Sequence, residues 1–402
     1  MNKYNTNKQP SLMLLIVIAM TSPLALNLFI PAMPTVVNVL HTDIATMQLT
    51  YSCYLLTLAF GQLISGSLAD YFGRYPVLIS GLLIHFFGCI FAALSTDINL
   101  LIAARVLQAL GGSACMSMAR TMTLDIYGRE KSASKMSYLV MAIALSQTIA
   151  PTLGGYINLY YHWQTIFIIS ATIAFCVCLI AVKKLTETCP RKTSSLKLKK
   201  VLQQYKEIIK SKEYLGYALS STFIACGFYI FIGSAPYIVI NKLGGNSADF
   251  GNWFLLVALA FMFGSFCSGN LAKRIPIDAM ITLGHGISLL AASVLLLFVY
   301  FNLLDYISLF APMALLTFGR GLSQPSAQSG AIACSLSTAG TASGLLGFIQ
   351  LIIGALVAQL APYFMSYGLF TLAFFIFTSP ILALLSHHLT INFKSNDQNK
   401  TN

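Results

Sequence analysis

Residues 61–74 of the chain read GQLISGSLADYFGR, and this stretch decides how the rest of the sequence is interpreted. It ends an apolar run, from about Ile44 to Leu68, that carries no formal charge. A helix needs about 20 apolar residues to cross the roughly 30 Å hydrocarbon core of a bilayer. The run therefore predicts a membrane-spanning helix, and the charged groups of Asp70 and Arg74 are expected at the membrane surface.

The composition places the whole chain in a membrane. Its 402 residues are 57% hydrophobic and only 9% charged, whereas soluble domains are usually about 25% charged. The apolar runs are continuous and about twice as long as the alternating ten-residue segments that are typical of membrane barrels. The sequence therefore predicts an all-α integral membrane protein.

Twelve apolar runs are long enough to cross a bilayer as helices. They lie at about 12–33, 45–67, 76–95, 98–120, 134–157, 163–182, 214–238, 250–271, 279–301, 306–328, 337–361 and 364–386. The runs fall into two groups of six. This division predicts an N-terminal six-helix bundle at 1–182, a basic cytoplasmic linker at 183–213 and a C-terminal six-helix bundle at 214–402.

A short repeat links the two predicted bundles. The residues GSLAD at 66–70 return 203 positions later as GNLAK at 269–273, each time after the second predicted helix of a bundle. Equal helix numbers and an offset of half a chain are typical of membrane folds built from internal repeats. We therefore expect the two transmembrane bundles to be pseudo-symmetric.

The basic residues indicate the orientation of the chain rather than a nucleic-acid partner. The formal net charge is +12, but the lysines and arginines are spread over many predicted loops instead of one folded face. Nearly all of these loops fall on one side of the twelve-helix count, and Lys242 lies on the other side. Because cytoplasmic loops carry an excess of Lys and Arg, both termini are predicted to be cytoplasmic.

The nine cysteines are not expected to bind a metal or to form disulfides. Most of them lie inside apolar runs, where a small buried hydrophobic residue is the ordinary interpretation. Cys176 and Cys178 are two residues apart and face different sides of a helix. No metal site and no cofactor are predicted.

Three motifs resemble those of the major facilitator superfamily. The pattern G-x-L-A-D-x-x-G-R at 66–74 resembles the signature loop between helices 2 and 3 of that superfamily. Arg105 and Gln108, following Leu101, resemble its fourth-helix motif, and APTLGG at 150–155 resembles the fifth-helix motif of its antiporters. The resemblance implies a transporter fold with two six-helix halves.

Two further stretches resemble the Bcr/CflA drug-efflux group of this superfamily. They are NLFIPAMP at 27–34 in the first helix and AGTASGLLGFIQ at 339–350 in the eleventh. The resemblance covers nearly the whole chain and implies an inner-membrane carrier that exports drugs or other small organic molecules by alternating access. It also implies a monomer surrounded by membrane lipid, with coupling to protons as an open expectation.

The loop motif is expected to act as a conformational latch between the halves. A glycine at position 73 permits a tight turn, and the carboxylate at position 70 can accept from the amides of another helix N-terminus. The resemblance implies that this partner is helix 11, and that the arginine of the loop pairs with an acid below helix 4. The latch residues are Gly66, Asp70, Gly73, Arg74 and Asp125. A solvated surface ion pair of little energetic weight is the alternative.

An arginine inside the fourth span is the clearest candidate for a site. Arg105 lies several residues from the membrane surface, where a charged side chain is costly and generally faces a cavity or a partner. The residues expected to line a substrate and coupling cavity are Asn27, Arg105, Gln108, Gln147, Arg320 and Gln350. An arginine that only binds neighbouring backbone carbonyls is the alternative that the sequence leaves open.

The fifth-helix motif consists of Pro151, Gly154 and Gly155. These residues are expected to break the helix and to let another backbone approach closely. Glycine-rich crossings are also common in membrane bundles for packing reasons alone. The motif therefore indicates a moving interface and does not by itself establish antiport.

The sequence departs from the drug-efflux pattern in its titratable groups. Asn27 stands where that group ordinarily carries an aspartate, and no Asp or Glu lies deep in any predicted span. A proton-coupled carrier needs a group that titrates within its pathway. His85 and His285 are candidates because histidine ordinarily titrates near neutral pH, although a packed, hydrogen-bonded histidine is the more ordinary interpretation.

Two further hypotheses remain beside drug export. Arg105 and Arg320 without a buried anion would favour an anionic substrate, such as an anionic metabolite or a carboxylate siderophore, unless Arg320 snorkels to the cytoplasmic interface. A membrane-embedded enzyme would need a recognisable catalytic constellation, and the sequence contains neither HExxH nor GxSxG. No enzymatic activity is therefore expected. The substrate, the direction of transport and the coupling ion stay open.

Overall fold

The computed structural model describes residues 11–188, 206–271, 274–334 and 339–401, and the regular secondary structure in these ranges is helical. The chain divides into two compact units, Met1–Leu198 and Lys199–Asn402. Most of the predicted linker at 183–213 lies outside the described ranges, because residues 189–205 are not described.

The helices are numbered in chain order. Those of the first unit are α1 (Leu12–Phe29), α2 (Met33–Val39), α3 (Ile44–Phe72), α4 (Arg74–Ala93), α5 (Ile98–Tyr160) and α6 (Gln164–Lys184). Those of the second unit are α7 (Lys212–Asn241), α8 (Ser247–Leu271), α9 (Ile277–Tyr300), α10 (Tyr306–Ala333), α11 (Ala339–Ser366) and α12 (Leu369–Thr401). A 3-10 turn at Ile30–Ala32 joins α1 to α2, so these two helices form one span.

Helix α5 corrects the predicted break between the fourth and fifth spans. Its 63 residues are helical from Ile98 to Tyr160, because the polar stretch at 121–133 marks a membrane surface without ending the helical hydrogen bonding. A straight helix of this length would extend about 95 Å. Yet Arg105 bonds the carbonyl of Ala25, and Gly154 packs against that of Leu28. The chain therefore turns back within α5, which supplies two spans.

Each unit thus contains six spans, and the all-α membrane fold with twelve spans is confirmed. Nine helices within the described ranges are both long and apolar enough to cross a membrane. The remaining spans by position and length are α3, α10 and the second part of α5.

Aspartates predicted at one membrane boundary cap the helices that begin there. The carboxylates of Asp43, Asp97 and Asp305 accept hydrogen bonds from the first-turn amides of α3, α5 and α10. Such caps satisfy amides that lack an intrahelical partner. The hydroxyl of Thr46 and then its backbone amide hold the pKa of Asp43 below the ordinary value of an aspartate, and the backbone amide of Ser308 and then its side chain lower the pKa of Asp305. The carboxylates therefore define where the spans start.

The internal repeat is visible in how the third and fourth spans of each unit cross. Gly81 in α4 packs against Gly111 in α5, and Gly284 in α9 packs against Gly319 in α10. The first residues of the two pairs are separated by the same 203 positions as the sequence repeat. Without Cβ atoms the helices approach closely, as small residues permit in membrane bundles.

Candidate functional site

Arg105 is completely buried inside the first unit. Its guanidinium carbon lies 4.3 Å from the ring centre of Tyr54, 5.3 Å from that of Phe29 and 5.7 Å from that of Phe167. The rings belong to α3, α1 and α6, and α5 supplies the arginine, so one cation contacts three other helices. A desolvated cation over an aromatic face is stabilised by about 2 kcal/mol.

Backbone carbonyls and one amide bind the guanidinium group of Arg105. Its Nη1 donates to Oε1 of Gln108 at 2.6 Å and to the carbonyl oxygen of Ala25 at 3.4 Å. Its Nε donates to the carbonyl oxygen of Thr50 at 3.5 Å. Its Nη2 is buried and has no hydrogen-bond partner among the described residues. The site therefore keeps one donor that a water molecule or a substrate oxygen can satisfy.

A polar row continues from Arg105 between α5 and α4. The Nε2 of Gln108 donates to Sγ of Cys89 at 2.9 Å, and Nδ1 of His85 lies 2.8 Å from the carbonyl oxygen of Gln108. The Nε2 of His85 is buried and makes no hydrogen bond within the described ranges. His85 is thus packed, as the sequence suggested, but only one of its two ring nitrogens is hydrogen-bonded.

The other residues predicted to line a cavity have different surroundings. Asn27 is buried, and its Nδ2 donates to the carbonyl oxygen of Pro23 at 2.8 Å. Gln147 is exposed. In the second unit, Nε2 of Gln350 donates to Oγ of Ser221 at 2.5 Å. The first unit brings Arg105 and Gln108 together, and a cavity shared by all six predicted residues stays a prediction.

Arg320 contacts two aromatic rings of the second unit. Its guanidinium carbon is 4.7 Å from the ring centre of Phe228 and 4.8 Å from that of Phe261. Its Nε donates to Oε1 of Gln324 at 2.8 Å. The side chain is only partly buried, so it differs from the enclosed Arg105.

The loop at 66–74 turns at Gly73, whose φ of 110° disfavours any other residue. The Nε of Arg74 lies 3.3 Å from Oδ2 of Asp125, and the two side chains are only 11% and 16% exposed. A Cβ added at Gly66 would meet no atom within 4 Å. The side chain of Asp70 lies outside the described part of the structure. The structure therefore joins Arg74 to Asp125, and the role of the group as a latch stays a prediction.

Glu187 is a member of this cluster that the sequence did not reveal. Its Oε1 accepts from the amide of Arg74 at 2.9 Å, and its Oε2 accepts from the amide of Tyr75 at 3.4 Å. These amides open α4, so the carboxylate binds at the positive end of the helix dipole. The next residue, Thr188, donates from Oγ1 to Oδ2 of Asp125 at 3.2 Å. The segment that follows α6 is thereby hydrogen-bonded to the start of α4.

The predicted break of the fifth helix is wrong. Pro151 is buried inside α5, which stays helical on both sides of it. Membrane helices tolerate proline because neighbouring groups satisfy the carbonyl that it frees. A Cβ at Gly154 would overlap the carbonyl oxygen of Leu28, so the backbones of α1 and α5 approach closely there. Gly155 is also buried.

Arg120 is an arginine of the first unit that the sequence interpretation did not consider. Its Nη1 lies 3.5 Å from Oε1 of Gln62. Its position at the end of the fourth predicted span could have marked it as a candidate site residue. An arginine at the end of a span, however, ordinarily extends to the interface between membrane and water. In the described ranges, no three His, Cys, Asp or Glu side chains are placed to hold a metal ion.

The family model described as "Major Facilitator Superfamily" matches residues 15–359. The chain is 25% identical to the "Bicyclomycin resistance protein homolog" of Haemophilus influenzae over 86% of each chain. It is 27% identical to "Multidrug resistance protein D" of Escherichia coli, over 87% of this chain and 88% of the relative. The crystal structure of a D-xylose-proton symporter covers 94% of this chain and 96% of its own with a TM-score of 0.75 and 11% identity, which shows the fold alone.

Proposed function

The chain belongs to the Major Facilitator Superfamily, and from this premise we propose that it is a secondary transporter exporting drugs or other small organic molecules by alternating access. The observation that carries the proposal is the similarity over nearly the whole length to relatives named for bicyclomycin and multidrug resistance. The similarity extends over both units rather than over one conserved loop. The chain is a multi-pass membrane protein, and the bacterial inner membrane is its proposed location.

The orientation is part of the proposal. Lys and Arg are concentrated in the loops on one side of the spans, which supports cytoplasmic N- and C-termini. The protein is proposed to work as a monomer within membrane lipid, with a small molecule as its substrate and no enzymatic reaction.

We further propose that Arg105 organises the substrate-responsive part of the first unit. The guanidinium group joins α1, α3, α5 and α6 and retains one unused donor on Nη2. A rearrangement of any of these helices changes the surroundings of the cation. The cluster of Arg74, Asp125 and Glu187 is proposed as the latch, because its ion pair and helix cap break when α4, α5 and the end of α6 separate.

Coupling to protons is the proposed source of energy. No Asp or Glu lies deep in a predicted span, so histidines are the remaining side chains whose ordinary pKa lies near neutral pH. An anionic metabolite or siderophore is not the favoured cargo, because the relatives are named for drug resistance. The rings that enclose Arg105 also leave its guanidinium without exposed surface.

Transport by the purified protein tests the proposal. Proteoliposomes are loaded with ethidium, chloramphenicol or citrate, and flux is followed at several imposed pH gradients. We expect flux of at least one of the two drugs, dependent on the pH gradient, and no flux of citrate. Citrate flux without drug flux would favour the anionic cargo, and a lack of flux for every probe would contradict the proposed function.

A further inference from the structure

A row of polar side chains runs through the second unit where α7, α9 and α12 meet. The hydroxyl of Tyr217 donates to Oδ1 of Asp278 at 2.6 Å. The Nε2 of His387 lies 3.1 Å from the backbone oxygen of Asp278 and 4.0 Å from its Oδ1. The ring centre of His387 is 6.4 Å from that of His285, whose Nε2 lies 2.8 Å from Oγ of Ser220.

The row leads from the surface of the unit into its interior. The side chain of Asp278 is 31% exposed and that of His387 is 2% exposed, while His285 has no exposed surface. Asp278 and His285 are seven residues apart on α9, which separates them by about 10 Å along the helix axis. The lysines and arginines predict that the exposed end is cytoplasmic.

Few other titratable groups act on this row. Glu213 of α7 and Cys334, which follows α10, interact electrostatically with Tyr217, and His387 interacts electrostatically with His285. The ring of Tyr217 is itself 6.0 Å from that of His387. The carboxylate of Asp278, whose Oδ1 lies 4.0 Å from Nε2 of His387, stabilises a positive charge on that ring.

Packing alone does not account for His285. Its Nδ1 is buried and has no hydrogen-bond partner among the described residues. A buried polar atom without a partner destabilises a protein. The neighbouring ring of His387 is too distant for a direct bond, but one water molecule can bridge two polar groups at such a separation. The arrangement places a buried ring nitrogen of His285 without a partner beside a second titratable ring, at a ring-centre distance of 6.4 Å, which suits proton transfer through a bridging water.

We propose that Asp278, His387 and His285 form a proton-binding row through which the second unit takes up and releases the proton that drives transport. This inference rests on the proposed function and adds to it the site of coupling. A proton from the cytoplasmic water binds at His387, where Asp278 stabilises the imidazolium. A bridging water accepts this proton and gives one of its own to Nδ1 of His285. These steps are reversible, and during export they run in the opposite direction: His285 binds a proton while the carrier is open to the outer side, and the row then delivers that proton to the cytoplasmic water. No other bond changes.

Glutamine variants separate proton binding from structure, because glutamine retains a hydrogen-bonding amide but does not titrate in this pH range. His285→Gln and His387→Gln are compared with His388→Gln, a matched control at an exposed position of the same helix. We expect the first two variants to lose about tenfold or more of the ethidium flux driven by a pH gradient. Ethidium exchange without a gradient is expected to persist in both variants. The His388→Gln control is expected to retain both the gradient-driven flux and the exchange. Unchanged gradient-driven flux, or a parallel loss of exchange, would overturn the inference.

A second measurement does not depend on transport. The ¹⁵N resonances of the histidine rings are followed in detergent between about pH 5 and pH 8. We expect the signals of His285 and His387 to shift over the same pH interval, and those of His285 to stop shifting in His387→Gln. If the pH dependence of the His285 signals is the same in His387→Gln as in the wild type, the proposed proton-binding row is refuted. If the wild-type protein transports none of the tested compounds, the proposed function fails. The ¹⁵N spectra still test the proton-binding row, because they do not require transport.

Discussion

The guanidinium carbon of Arg105 lies 4.3 Å from the ring centre of Tyr54, whose hydroxyl is 2.8 Å from that of Ser22. Tyr54 thus contacts a cation of α5 with its ring and a hydroxyl of α1 with its oxygen. Because both interactions are buried, they are stronger than the same contacts in water. A single aromatic residue of α3 therefore links the movements of three helices.

Arg105→Lys is expected to weaken both folding and transport. Lysine keeps the charge but lacks the planar fork that binds Gln108, Ala25 and Thr50 at once. We expect a loss of about 1.5–3 kcal/mol in the free energy of unfolding, measured by thermal unfolding in detergent, and a lower ethidium flux. Arg274→Lys, at an exposed position, is the control. Wild-type unfolding temperature and flux in Arg105→Lys would show that the fork is not needed.

Gly154→Ala is expected to destabilise the first unit. Alanine ordinarily stabilises a helix interior by about 1 kcal/mol relative to glycine. Here its Cβ would overlap the carbonyl oxygen of Leu28, and overpacking of this kind costs about 1–3 kcal/mol. Gly286→Ala, where a Cβ meets no atom within 4 Å, is the matched control. Thermal unfolding should move in opposite directions for the two variants, and equal shifts would disprove the close approach of α1 and α5.

Glu187→Gln is expected to loosen the start of α4. Glutamine can accept one hydrogen bond from the amides of Arg74 and Tyr75, but it lacks the charge that interacts with the helix dipole. We expect a loss of about 0.5–2 kcal/mol in stability and a change in the ratio of gradient-driven flux to exchange. The same substitution at the exposed Glu207 serves as control. A variant that differs from the wild type in neither measurement would argue against a latch at Glu187.

Acid is expected to weaken the helix caps in a defined direction. The pKa of Asp305 is lowered in the folded protein by hydrogen bonds from the backbone and side chain of Ser308. Its stabilising effect is therefore fully present above the unfolded pKa of about 3.9 and is lost as the pH falls through the lower folded pKa. Asp305→Asn should unfold at a lower temperature than the wild type at neutral pH, and this difference should begin to shrink below about pH 4 and disappear once the pH is below the folded pKa of Asp305. A difference that does not change with pH would contradict the charged cap.

The sequence predicted most of the fold because hydropathy and length are local properties. The apolar runs predicted the twelve spans, and their grouping into six and six, supported by the repeat at 66–70 and 269–273, predicted two bundles. The continuity of α5 was missed because the polar residues at 121–133 were taken as a loop, although nothing in them prevents helical hydrogen bonding. Polarity marks the membrane surface, whereas the end of a helix depends on capping and backbone conformation.

The surroundings of the candidate residues were less accessible from the sequence. Arg105 was identified because a charge inside a span is costly, but its contact with Phe167 joins residues 62 positions apart. Glu187 bonds the amide of Arg74 across 113 positions. Such contacts depend on how each helix is rotated about its axis, and a single sequence does not report that rotation when most faces are apolar.

The rings around Arg320 lead to the last prediction. Phe228 and Phe261 lie on different helices, α7 and α8, and each cation–π contact contributes about 0.5–1 kcal/mol. In double-mutant cycles, Arg320→Gln should therefore couple to Phe228→Leu and to Phe261→Leu by that amount. Phe263→Leu, at an exposed position of α8, should show no coupling. Because two rings already contact the guanidinium, we also expect ethidium flux to persist in Arg320→Gln. Citrate flux in the wild type that disappears in this variant would instead identify Arg320 as the binding group for an anionic cargo.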